Sequence, residues 1–348
     1  MSHAFILRDE MILCRQTLHG WWPMQVELPQ LNNNTGLSPY ETQPAYQVGR
    51  VTLFESLAPT HWLPNDVSRQ NKNSLTALES KTANTFTSNA FTAKATIAIT
   101  YDYAIEHHVT LPKILDSDEV ENRDLTSNNK ERNTLGNDKC AFIGYRLLIT
   151  QLPFALSDQL SQAIQLLRWQ ADTQFCSRCA TPVVPAERGE RAMVCPVCRL
   201  RQYPRVQPCI ITAITRPNPQ TGAMQILLAH HHRYGQQKTP QQALQYGLIA
   251  GFVEVGESLE HAVVREVAEE VNISLKDIRY VSSQPWPFPS NLMLGFRATH
   301  AGGDIVIQED ELTHADFFDL TNLPKIPFKG SIAYALIAQI AREQGISL

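Results

Sequence analysis

Apolar positions along this chain form short, broken runs in its first part and longer, periodic ones beyond residue 208. Residues 4–7, 11–13 and 48–54 are apolar stretches interrupted by Pro and Gly, which predicts short strands of a small, mostly β domain. Residues 95–103 and 141–152 read as two further strands, the second ended by Pro153. Between 157 and 170 the period changes, and Leu160, Ala163, Ile164, Leu167 and Trp169 recur as one face of an amphipathic helix. In the second part, β-branched runs at 209–215 and 224–229 predict buried strands, with 230–235 a loop. Residues 246–253 lead into a helix capped by Ser258, whose Ala262, Val263, Val267, Ala268 and Val271 share one face. Strands follow at 280–283, 291–299 and 315–320, and Ile332, Leu336, Ile337 and Ile340 mark a closing helix over 331–343. Strands on both sides of one helix, with a second helix at the end, predict an α/β/α sandwich around a mixed sheet.

Two polar stretches interrupt the pattern. Residues 65–94 are rich in Asn, Ser and Thr, and 116–139 in Asn, Asp and Glu, so both read as solvated insertions with little apolar surface to bury. Across 348 residues the net charge of -4 gives no global basic field, which argues against tight, sequence-independent nucleic-acid binding. Arg8, Asp9, Glu10 and Arg15 break up the start, and no apolar run approaches a membrane span, so a soluble, cytoplasmic protein without a membrane partner is expected. His107 and His108 read as surface residues, and His230 to His232 as part of a polar loop rather than as phosphate contacts.

Four of the seven cysteines form two knuckles, Cys176-Ser-Arg-Cys179 and Cys195-Pro-Val-Cys198, with fifteen residues between them. Thiolates at that spacing converge at the distance tetrahedral Zn²⁺ requires, and four protein ligands leave no open position, so one structural zinc per chain is expected. A redox role suits a single CxxC, and the duplication argues against it. Arg178, Arg188, Arg191, Arg199 and Arg201 make this ribbon locally basic, a solvated rim that also suits a weak RNA contact. Cys14, Cys140 and Cys209 read as ordinary thiols in or near strands.

Residues 251–273, GFVEVGESLEHAVVREVAEEVNI, carry the densest chemistry. Glu266 and Glu270 stand one helical turn apart with Glu269 beside them, and Arg265, four residues before Glu269, can hold that carboxylate. An acidic solvated face is one reading. A seat for a hard divalent cation completed by substrate phosphates is the other, favoured by the glycine-bearing loop at 247–256. The stretch resembles the Nudix box: Gly, five residues, Glu, seven residues, then Arg-Glu-apolar-any-Glu-Glu. It departs at the late glycine, which is Asn272, a residue that tolerates a left-handed helix end.

Downstream, Ser283-Gln284-Pro285-Trp286-Pro287-Phe288-Pro289 has prolines at alternate positions, predicting a stiff extended loop that presents Trp286 and Phe288 for stacking on planar rings. So placed, SQPWPFP resembles the signature of NADH pyrophosphatases among Nudix hydrolases, with Asn291 where that family continues with serine. The resemblance runs from about Phe175 to the end of the chain; before that, only Gly20-Trp21-Trp22 and Glu27-Leu28-Pro29 match faintly.

The expected architecture is therefore α+β: a β-rich N-terminal domain over 1–170, a four-cysteine zinc ribbon over 171–203 and a Nudix α/β/α sandwich with a mixed sheet over 204–348. What the resemblance implies is hydrolysis of the diphosphate of NADH or NAD⁺ to nicotinamide mononucleotide and AMP, removal of NAD caps from RNA, and a homodimer. It assigns Mg²⁺ or Mn²⁺ to Glu266, Glu270, Glu311 and the Ala250 carbonyl, with Glu266, Glu269 and Glu270 catalytic. Substrate contacts would fall on Gln284, Pro285, Trp286, Pro287, Phe288, Pro289, Ser290 and Asn291, and on Tyr203, Ala333 and Arg146. Two alternatives stand beside this: a Nudix hydrolase of another nucleoside diphosphate such as ADP-ribose, and a non-catalytic zinc-ribbon RNA-binding or sensor protein.

Overall fold

A computed structural model of the chain describes residues 2–17, 20–29, 49–53, 96–115, 139–186, 190–235 and 243–348. The polar stretch 65–94 and all of 116–139 except Lys139 lie outside the described residues. The chain divides into two compact units between Arg205 and Val206. No described helix is long and apolar enough to cross a membrane.

In the first unit, seven described strands share one sheet: β1 (Ser2–Arg8), β2 (Met11–Thr17), β3 (Gly20–Pro23), β4 (Gln25–Leu28), β5 (Arg50–Leu53), β6 (Thr96–Thr100) and β7 (Cys140–Gly144). Its core gathers Ala4, Ile6, Leu13, Val26, Leu28, Ile97 and Ile99. Two strands predicted from sequence end early. The Thr100 hydroxyl accepts from the Tyr103 N–H at 3.1 Å, so Thr100 stops β6 and caps helix α1 (Tyr101–Glu106). Likewise β7 stops at Gly144, and helix α2 (Tyr145–Leu148) follows, with Tyr145, Leu148, Ile149 and Leu152 buried. Those four stand at i, i+3, i+4 and i+7, a helical period inside the run read as strand.

Helix α3 (Phe154–Asp172) starts behind Pro153 and buries Leu160, Ala163, Ile164 and Leu167. Its buried Gln170 accepts from the Gly49 N–H at 3.1 Å and donates to the Arg50 carbonyl at 3.2 Å, tying the helix to β5. Three short strands, β8 (Val184–Pro185), β9 (Met193–Val194) and β10 (Arg201–Gln202), then form the ribbon.

The second unit is built on a six-stranded sheet among the described residues: β11 (Gln207–Pro217), β12 (Met224–His231), β13 (Ile249–Phe252), β14 (Ser274–Trp286), β15 (Asn291–Gly302) and β16 (Leu312–Asp319). β11 pairs with β15 in parallel and with β12 and β13 antiparallel, so the sheet is mixed. Alternation along its central strands feeds two cores. Ile211, Ala213, Ile226 and Leu228 pack on helix α5 (Ile332–Glu343) through Leu336, Ile337 and Ile340. Ile214, Leu227 and Ala229 pack on helix α4 (Leu259–Val271) through Val267 and Val271.

Two segments of this unit differ from the sequence reading. β12 runs on through His231 before a 3₁₀ turn (His232–Tyr234), because its pairing with β16 continues to Leu312. Gln284, Pro285 and Trp286 are strand rather than loop, since β14 is the sheet edge, where a missing proline N–H breaks no interior ladder.

Candidate active site

Helix α4 is defined at both ends by its sequence. The Ser258 hydroxyl accepts from the His261 N–H at 3.2 Å, and Asn272 ends the helix in the left-handed region at φ 56° and ψ 32°. On the helix, Arg265 fastens the loop before it to the carboxylates after it. Its guanidinium donates to both Glu257 oxygens at 2.8 and 2.9 Å, to Glu266 at 3.0 Å, to Glu269 at 2.9 Å and to the Phe252 carbonyl at 2.8 Å. The hydrogen bonds from Arg265, with that from the Glu254 N–H, hold the Glu257 carboxyl down at about 2. Gly251 explains its own identity: a Cβ there would meet the Glu266 carboxylate at 1.9 Å, so only glycine leaves that side chain its place.

Glu270 sits differently. It is 1% exposed, and among the described residues neither of its oxygens has a well-formed hydrogen bond. Burial, then the nearby charges of Glu266 and Glu311, push its carboxyl up to about 8, against the pull of Arg233 and the Ala250 backbone. Glu266 is raised by burial too, with Arg265 opposing. His231 Nε2 lies 3.9 Å from Glu270 Oε2, and burial lowers that imidazole to about 3, keeping it neutral. Ligand atoms of His231, Glu270 and Glu311 lie within 4.8 Å of one another. A buried carboxylate with no well-formed hydrogen bond among the described residues, flanked by two more carboxylates, fits a divalent cation. Glu269, by contrast, is 53% exposed at its side chain and is held by Arg265.

The aromatic segment is a hairpin, Trp286 opposite Asn291, with its chain reversal over 287–290. Trp286 and Phe288 meet edge to face at 5.2 Å, and Trp286 stacks on Phe328 at 6.2 Å, a ring that sequence reasoning did not connect to this segment. Asn291 is buried and donates to the Phe288 carbonyl at 3.3 Å, closing the turn, while the Ser290 carbonyl accepts from the Gln207 N–H at 2.9 Å. Gln284 is spent on the fold: it donates to the Gly330 carbonyl at 2.9 Å and accepts from the Ile332 N–H at 2.7 Å. Of the other candidates, Ala250 lies on β13 beside Ile211, and the Ala333 side chain is packed in the core under α5. Arg146, exposed on α2, and Tyr203, which donates to Glu190 at 2.8 Å, belong to the first unit.

His231 is the neighbour that sequence reasoning missed. Strict alternation places it on the face of Leu227 and Ala229, a signal present in the sequence but hidden by reading three adjacent histidines as loop.

In the ribbon, the two knuckles are copies of one turn. Ala180 N–H donates to the Cys176 carbonyl and Arg199 N–H to the Cys195 carbonyl, and Ala180 and Arg199 both have positive φ, 58° and 61°. The sulfurs of Cys176 and Cys198, Cys179 and Cys195, and Cys179 and Cys198 lie 3.5, 3.5 and 3.6 Å apart. Tetrahedral zinc with bonds of about 2.3 Å needs sulfurs about 3.8 Å apart, so the tetrad fits that ion and leaves no open position.

The NUDIX domain family matches residues 209–339, and the NADH pyrophosphatase zinc ribbon domain matches 171–203. The NAD-capped RNA hydrolase NudC of Klebsiella pneumoniae is 46% identical over 178 residues, 51% of this chain and 63% of that protein. Its counterpart from Pseudomonas putida strain W619 is 40% identical over 208 residues, 60% of this chain and 70% of that one. Among solved structures, a NUDIX hydrolase from Nitrosomonas europaea is 22% identical with a TM-score of 0.37, over 50% of this chain and 94% of that one. The second unit and its carboxylate-bearing helix are those of a Nudix hydrolase. With the zinc ribbon preceding it, the chain belongs to the NADH pyrophosphatase family of Nudix hydrolases.

Proposed function

We propose that the chain hydrolyses the diphosphate of NADH or NAD⁺ to nicotinamide mononucleotide and AMP, and removes NAD caps from the 5′ end of RNA. One observation carries the reading. Strand β11 pairs Gln207 with Asn291 at the aromatic hairpin and Ile210 with Gly251 beneath Glu266. Three residues of strand span about 10 Å, so a ring stacked at the hairpin and a diphosphate at the carboxylates fall within one dinucleotide. In this reading residues 204–348 carry the hydrolysis, 171–203 the zinc ribbon and 1–170 a β-rich domain.

Glu266, Glu270, Glu311 and the Ala250 carbonyl would hold Mg²⁺ or Mn²⁺, which supplies a Lewis acid that offsets phosphate charge and acidifies water. Trp286 and Phe288 stack one base and orient the diphosphate. Glu270 or Glu269 orients the water that attacks phosphorus in line with the departing phosphate. Arg265 bridges Glu266 and Glu269 and offsets the repulsion between their like charges. The homodimer implied by the family is checked by sedimentation velocity. The deciding experiment incubates the purified chain with Mn²⁺ and NADH, an NAD-capped oligonucleotide or ADP-ribose, with and without EDTA. EDTA-sensitive release of nicotinamide mononucleotide supports the proposal, and cleavage of ADP-ribose alone would refute it.

A further inference from the structure

Along β12, Leu227 and Ala229 pack on Val267 and Val271 of α4, and alternation brings His231 to the same face. The register shift against β16 between His230 and His231 places its extra residue, Thr313, on β16, so the alternation of β12 runs unbroken to His231. His231 is 2% exposed, and its 3.9 Å separation from Glu270 is too long for a hydrogen bond. It suits two donors of one ion, since ligands about 2.1 Å from a shared metal stand about 3 to 4.2 Å apart. Glu311 completes the group, all within 4.8 Å. Backbone hydrogen bonds fix the three elements together: Gln308 N–H to the Glu270 carbonyl at 3.0 Å, and His232 N–H to the Glu311 carbonyl at 3.0 Å. Independently, both oxygens of the buried Glu270 lack a well-formed hydrogen bond among the described residues.

We propose that His231 is a direct ligand, with Glu270 and Glu311, of the divalent ion at this centre. This rests on the metal-dependent reading above and extends it from an all-oxygen site to a mixed nitrogen and oxygen one. Imidazole binds first-row transition ions, Mn²⁺ the most weakly of them, whereas Mg²⁺ is served by oxygen donors, so one imidazole in the shell shifts the centre toward Mn²⁺ relative to Mg²⁺.

Pulsed EPR on the full chain, zinc-replete and loaded with Mn²⁺ alone, reads the ligand directly. Spin-echo modulation from a bound imidazole ¹⁴N is expected in the wild type, lost in His231→Gln and retained in His232→Gln. Mn²⁺ affinity of His231→Gln should fall roughly tenfold or more while Mg²⁺ affinity changes less than about threefold. Absence of ¹⁴N modulation in the wild type overturns the assignment whether or not the variant folds, as does unchanged modulation in His231→Gln or equal weakening of both ions. Hydrolysis of NADH without ¹⁴N modulation removes the ligand and leaves the proposed function; modulation without hydrolysis does the reverse.

Discussion

In the ribbon, four thiols come from two turns that each close on themselves; in the hydrolase unit, the acidic cluster draws on the end of β12, the last turns of α4 and the approach to β16. The thiols can lose their protons to water and, as thiolates, fill an ion's shell. In the hydrolase unit Glu270 is instead stripped of water and crowded by Glu266 and Glu311, so that it is held up near 8 while Glu266 leans on Arg265. A site meant only to hold a fold can satisfy its ion completely, whereas one meant to bind phosphate has to leave charge unanswered and coordination open.

Four experiments sharpen or break that contrast. Cys176→Ser has the largest expected effect, because structural zinc binding in isolated fingers is worth roughly 10–16 kcal/mol. Zinc content by atomic absorption should drop and an early melting transition appear; full zinc retention would break the contrast. Next, Glu270→Gln should lower turnover of NADH by about 10² to 10⁴ with an unchanged circular dichroism spectrum. Near-normal turnover removes Glu270 from the chemistry.

Third is the pH dependence of the metal-free chain. Between 4.5 and about 8 the folded state keeps a proton on Glu270 that the unfolded state has released. Folding stability therefore falls as pH rises through that window, by at most about 1.4 kcal/mol per unit. Denaturant melts with saturating Mn²⁺ should lose this slope, and an identical slope with and without the ion contradicts it. Smallest is Trp286→Ala, expected to raise KM for NADH about 5- to 100-fold while leaving Mn²⁺ affinity in place. Equal loss of both would reduce the hairpin to scaffolding.

The local devices of both sites were legible in the sequence: paired CxxC turns, Ser258 and Asn272 at the ends of α4, and the periodic apolar faces of α4 and α5. What escaped were features set by partners distant in the chain. Pro285 could join a strand only because β14 lies at an edge, which sheet order decides. His231 was lost because its strand is extended by β16, more than eighty residues further on. Thr100 ended a strand through one hydroxyl, a signal easily outweighed by the apolar run before it.

The Gln284 side chain ties the aromatic edge strand to the start of the final helix, donating to the Gly330 carbonyl just before it and accepting from the Ile332 N–H at its first residue. A shift of the edge strand on ligand binding at Trp286 is therefore expected to alter the Ile332 amide's hydrogen bond. Its deuterium uptake is expected to change with occupancy of the hairpin, a readout that touches neither the ring nor the reacting phosphorus.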